Sequence, residues 1–136
     1  MKRITFFIFV VMVICQARGQ TQAGSLGTAT VTNAGNASIS TPLFKGFFNT
    51  ESVQFIDSTL SGTLALTATL QYSLDGAHWY SQKRDSVLTI STTGTYGWNL
   101  SGSNGTFSGE YIRVYFVGSG TQSTKVWGFY RLQKDQ

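Results

Sequence analysis

The chain has 136 residues with 10 Lys+Arg, 6 Asp+Glu and one histidine, a formal charge of +4. Lys2, Arg3 and Arg18 all lie within residues 1–19; setting those three aside leaves 7 bases against 6 acids, or +1. A near-neutral remainder with no basic run beyond Lys83-Arg84 excludes the dense positive stripe that nucleic-acid binding needs.

The N-terminus reads as a targeting segment. Lys2 and Arg3 precede a predominantly apolar run from Ile4 to Cys15, and Ala17-Arg18-Gly19 places small residues before Gln20. That is the layout of a cleavable secretory leader over residues 1–19. A membrane span needs roughly 20 apolar residues, so none is expected in the mature chain. Cys15 is the only cysteine and leaves with the leader. The mature domain, residues 26–136 behind a mobile arm at 20–25, then depends on burial and sheet hydrogen bonds alone. The expected location is secreted, periplasmic or cell-surface.

Past the leader the signals are those of β-structure. Short strands are expected around Val31 and Ile39, with Asn33-Ala34-Gly35-Asn36 as the turn between them. Pro42 belongs at a strand edge. Lys45-Gly46 breaks Leu43-Phe44 from Phe47-Phe48 as a bulge or a turn. Val53 to Ile56 is a short strand. Thr63 to Ser73 is the clearest: Leu64, Leu66, Ala68, Leu70 and Tyr72 alternate with small and polar residues, the period of two that puts one face on a core. Asp75-Gly76 reads as a tight reversal, with Trp79 to Gln82 returning. Val87 to Ile90 follows. Tyr96, Trp98 and Leu100 alternate with Thr95, Gly97 and Asn99, and Asn104-Gly105 turns the chain. Tyr111 to Val117 is apolar except for Arg113 and reads as a central strand buried on both faces. Val126 to Leu132 closes the domain.

No stretch after the leader has helical spacing over three turns, and 15 glycines among many Ser and Thr suit turns and strands. The fold class is therefore all-β: a two-sheet antiparallel sandwich, jelly-roll-like first and immunoglobulin-like second. The immunoglobulin markers include a cysteine pair, which the mature chain lacks.

Leu70-Gln71-Tyr72-Ser73-Leu74-Asp75-Gly76-Ala77-His78-Trp79-Tyr80 resembles a turn of discoidin-like carbohydrate-binding sandwiches, and Tyr111-Ile112-Arg113-Val114 resembles their later Tyr-(Val/Ile)-Arg-(Val/Ile) strand. Small sandwich modules of phage structural proteins carry a similar pair, and the run Ser61 to Thr63 with Gly118-Ser119-Gly120-Thr121 is closer to these. The segment is also similar to the sialidase Asp-box, but one residue between Asp75 and Gly76 is missing, and there is one copy. The resemblance implies a sandwich fold and a binding or structural role. Within it Ser73, Asp75, Gly76 and Trp79 are expected to be a structural turn: Ser73 or Asp75 caps backbone N–H groups, Gly76 supplies the unusual φ, and Trp79 packs on the sandwich.

The chemistry-bearing residues are sparse. His78 is the sole histidine, too few nitrogens for a catalytic zinc. Asp57, Asp75 and Asp85 do not form a spaced calcium loop. No Gly-x-Ser-x-Gly elbow accompanies His78, and Glu51 and Glu110 sit in no glycosidase motif. No enzyme, metal or other cofactor is expected. Aromatic rings beside amides suit the apolar faces and hydroxyls of sugars. Tyr96, Trp98, Asn99 and Asn104 near one loop, and Trp127 and Tyr130 near the end, are the candidate ligand-binding residues. Packing in the core is the competing role for each aromatic. Asn36, Asn99 and Asn104 begin glycosylation sequons. The expected partners are a glycan or protein surface, or copies of the chain itself as a structural subunit of an extracellular or virion-like assembly.

Overall fold

The computed structural model describes residues 21–44, 48–81, 86–101 and 110–134. The leader, Lys45 to Phe47, Gln82 to Asp85 and the Asn104-Gly105 turn lie outside them. Among the described residues nine strands run in order: β1 (Thr21–Thr32), β2 (Asn36–Ser40), β3 (Thr50–Ser61), β4 (Leu66–Ser73), β5 (Tyr80–Ser81), β6 (Val87–Ile90), β7 (Gly94–Ser101), β8 (Tyr111–Gly118) and β9 (Ser123–Gln133). One sheet, sheet A, has the order β1-β9-β3-β7; the other, sheet B, has β2-β8-β4-β5, with β6 also on β4. Every pairing is antiparallel.

That order is a jelly roll. β1 pairs β9, β2 lies against β8, β3 against β7, and β4 against β5 and β6. The chain is a long hairpin of strand pairs, rolled so that alternate pairs fall in opposite sheets. β5 and β6 are two pieces of one edge: Tyr72 faces Tyr80, and Leu66 faces Ile90. Closing the chain ends onto each other makes most contacts non-local.

The core fills the space between the sheets. Leu26, Val31, Val53, Phe55, Val126 and Leu132 come from sheet A; Ile39, Leu66, Leu70, Tyr72, Ile112, Val114 and Phe116 come from sheet B. Phe55 meets Phe116 edge-on across the sandwich at 5.1 Å between centroids. Each such side chain contributes roughly 1.5–3 kcal/mol by leaving water. A side chain at Gly128 is not tolerated freely: its Cβ would lie 2.7 Å from the Gln54 carbonyl oxygen and 3.0 Å from Ile39 and Leu26.

Several sequence expectations change. Residues 21–25 are not a free arm: Thr21 to Ser25 open β1 and pair with Gln133 to Phe129 of β9. β3 extends to both sides of Val53–Ile56, because its inward face also carries Glu51 and Asp57. β4 starts at Leu66, although Leu64 is buried with it. β8 is central, between β2 and β4, but only one of its faces is buried. Ile112, Val114 and Phe116 point inward, while Tyr111, Arg113, Tyr115 and Val117 form the outer face. Its continuous apolar text reflects an outer face of large rings around Arg113, not a third layer.

Asp75-Gly76 is not a two-residue reversal. β4 ends at Ser73 and β5 begins at Tyr80, so residues 74–79 form the loop. Ser73 Oγ accepts the backbone N–H groups of Asp75 and Gly76 at 3.2 and 2.9 Å, and donates to Asp75 Oδ1 at 2.9 Å. The same Oδ1 accepts the N–H groups of Ala77 and His78 at 2.9 and 2.8 Å. Gly76 holds φ at +74°, where other residues are strained.

Candidate functional site

Sheet A turns an outer face to solvent across β9, β3 and β7. Register fixes its rows. Trp127 lies beside Ile56 and then Thr95; Phe129 beside Gln54 and then Gly97; Arg131 beside Ser52 and then Asn99. Trp127, Phe129 and Arg131 alternate on β9 with buried Val126, Gly128, Tyr130 and Leu132, so all three project outward. Phe129 is 49% exposed, far more than a core ring. Trp127 and Ile56 are half-buried.

Next to these rings the surface dips. An open groove of about 400 Å³ runs along β3 and β7, with Ser52, Gln54, Thr95, Gly97 and Asn99 among its lining. Gly97 creates the dip, since it puts no side chain on the face. A Cβ there would also collide with the Val53 carbonyl. Ser52 donates to Asn99 Oδ1 at 3.0 Å, which fixes the amide beside the groove that Asn99 helps line. From Phe129 to Gly97 is two strand spacings, roughly 10 Å.

The expected ligand residues divide between the two faces of this sheet. Asn99 and Trp127 are on the outer face. Trp98 is 7% exposed and Tyr130 5%, and both point into the sandwich. Trp98 packs tilted on Phe55 at 5.7 Å, and Tyr96 stacks on the same ring at 5.7 Å. The Tyr96 hydroxyl donates to the Thr92 carbonyl at 2.7 Å. The alternation of β7 is inward for the aromatics and outward for Thr95, Gly97 and Asn99, so Trp98 and Tyr130 are core residues, not sugar platforms. Asn104 lies outside the described residues. Phe129, Gln54 and Ser52 were missed; the signal for Phe129 was its odd-numbered phase with Trp127, opposite to Val126 and Tyr130.

The turn residues lie on the other sheet. Trp79 rests against the outer face of sheet B, with the Arg113 guanidinium 4.2 Å from its ring centroid. His78 is 93% exposed, with Nδ1 2.6 Å from Asp75 Oδ2. That contact and the neighbouring charge raise the imidazole pKa above 6.5. The same contact, then the loop N–H groups, hold the Asp75 carboxyl well below its ordinary 3.8. No third polar partner converges on His78 among the described residues, so the pair is a loop clasp. Asp57 is inside the sandwich, accepting the Gly94 N–H at 3.1 Å, and does not meet Asp75.

No family model matches this chain, and no curated protein matches it. Solved structures with similar architecture include a pilin of Bacillus endospore appendages, at 10% identity, covering 87% of this chain and 92% of that one with a TM-score of 0.48. A CBM4 structure is 14% identical, covering 80% of this chain and 73% of its own, TM-score 0.47. An infectious bursal disease virus structure, Gx strain, is 17% identical and covers 86% of this chain but 32% of its own, TM-score 0.49. Each of these likenesses has a TM-score under 0.5 and concerns architecture alone; the jelly-roll fold stands on the strand order of this chain.

Proposed function

We propose that the protein is a secreted, non-catalytic binding module that holds a neutral glycan across the outer face of sheet A. The observation that carries this reading is the juxtaposition of Trp127 and Phe129 with a groove floored by Gly97 and walled by Gln54 and Asn99. Sugar rings present C–H faces that stack on aromatics and hydroxyls that bond to amides. Phe129 supplies a ring without a hydrogen-bonding tip, and Gln54 and Asn99 supply donors and acceptors one and two strands away. Such a shallow face suits a chain lying across strands more than a small molecule that must be enclosed.

The test is affinity electrophoresis through gels containing soluble neutral polysaccharides, with the chain begun at Gln20. Retardation by at least one polysaccharide, lost in Trp127→Ala and Phe129→Ala and kept in His78→Ala, supports the reading. A wild-type chain that no neutral polysaccharide retards defeats it.

The alternative, a structural subunit of an extracellular assembly, would use edges or faces against further copies. β1 is a long edge strand, but its register slips between Ser25 and Gly27, and a bulge disrupts continuous edge pairing. That observation weighs toward the binding reading.

A further inference from the structure

Sheet B carries a second arrangement that the glycan face of sheet A does not use. Arg113 stands on the outer face of β8, opposite Gln71 of β4 and Ser40 of β2. Its Nε donates to Gln71 Oε1 at 2.7 Å. Its guanidinium carbon lies 4.2 Å from the Trp79 ring centroid and 5.1 Å from that of Tyr115. Nε is therefore used, and two rings fix the plane. Among the described residues the only ion pair is His78 with Asp75, and no carboxylate meets Arg113.

A guanidinium has five N–H donors, and its terminal pair matches a planar two-oxygen acceptor. Aromatic contacts neutralise no charge and make no in-plane hydrogen bond. Partial burial also disfavours the bare cation, lowering the Arg113 pKa. A structural pin for Trp79 would need the stacking alone, and the terminal donors meet no carboxylate among the described residues.

The occupant follows from what surrounds those donors. Ser38, Ser40, Thr67 and Thr69 share the face with Arg113 and Tyr115, giving hydroxyls beside two rings and one cation. We infer that the Arg113, Gln71 and Trp79 cluster is an acid-specific sugar subsite, whose terminal N–H groups take the carboxylate of a uronic acid residue while an aromatic ring takes the sugar face. The module then has two separate faces: sheet A for neutral sugar, sheet B for acidic sugar. This inference does not rest on the sheet A reading, because no residue is shared.

The test is titration of isotope-labelled protein with an oligomer of glucuronic acid, a neutral oligosaccharide of the same length, and poly-glutamate. The expected result is a saturable shift of the Arg113 Nε–H and Trp79 indole N–H with the oligouronide only. Arg113→Lys keeps the charge but not the fork or the stacking, and should weaken oligouronide binding by about tenfold or more. Its backbone spectrum reports whether the loop stays folded; Trp127→Ala, on the other sheet, should bind the oligouronide unchanged. Equal response to poly-glutamate makes the site a general anion contact and overturns the sugar assignment. No response of Arg113 to any acid in the wild-type chain overturns the subsite altogether. Loss of neutral-glycan retention with oligouronide binding intact defeats the sheet A reading alone.

Discussion

The Tyr72 hydroxyl, on β4 of sheet B, donates a 2.9 Å hydrogen bond to Glu51 Oε2, on β3 of sheet A. Glu51 is 1% exposed and Tyr72 0%, so the two sheets are joined inside the core by a polar contact. Among the described residues Glu51 Oε1 has no hydrogen-bond partner. Burial of a carboxyl with one unmatched oxygen pushes its pKa from 4.5 up to about 8, against the lowering effect of the Tyr72 bond.

A pH dependence follows. Between pH 4.5 and about 8 the folded chain keeps a proton that the unfolded chain releases, so folding is favoured most below 4.5 and weakens as pH rises toward 8. Asp57, raised by burial against its Gly94 bond, acts in the same sense. Urea midpoints between pH 4 and 9 should decline with pH, and Glu51→Gln should flatten most of that decline. Stability that climbs over the same range contradicts the assignment.

Removing the other partner is a separate test. Tyr72→Phe leaves the Glu51 carboxyl buried without its donor, and should cost about 1–3 kcal/mol. The same denaturation measured at pH 5 checks this. A change near zero would mean that the carboxyl finds another partner.

The loop clasp behaves oppositely at its two ends. His78 has a raised pKa, so its share of the contact is complete below 6.5 and fades as pH climbs past the raised value. Asp75 has a lowered pKa, so its share is complete above 3.8 and is lost on deeper acidification. Proton NMR should place the His78 titration above 6.5, and Asp75→Asn should bring it back. Both side chains are at the surface, so the effect on global stability should be small.

The two faces of sheet A separate packing from binding. Trp98→Ala opens a core cavity beside Phe55 and should cost about 3–5 kcal/mol while leaving polysaccharide retardation in place wherever the chain stays folded. Trp127→Ala should do the reverse. Thermal melting and affinity electrophoresis on the same samples distinguish them.

How much of this was legible follows from the residues. β4 could be read because Leu66, Ala68, Leu70 and Tyr72 keep an unbroken period of two. β3 was read short because two inward positions are carboxylates, Glu51 and Asp57, and a hydrophobic pattern does not register a buried acid. β1 has little apolar text; it is a strand because β9 pairs with it from across the whole chain. On β7 the aromatics drew attention as ligand groups, but alternation places Trp98 inside and Asn99 outside. The groove at Gly97 was hidden altogether, since it is made by the lack of a side chain next to strands that only the fold brings together.

The most direct measurement follows the tryptophan indole N–H signals during titration with a neutral polysaccharide that retards the chain. Trp127 is on the proposed face, Trp98 is in the core and Trp79 is on the opposite sheet. The Trp127 signal should move and saturate while Trp98 and Trp79 stay still. Movement of Trp79 or Trp98 with Trp127 unchanged would contradict a glycan site on the outer face of sheet A.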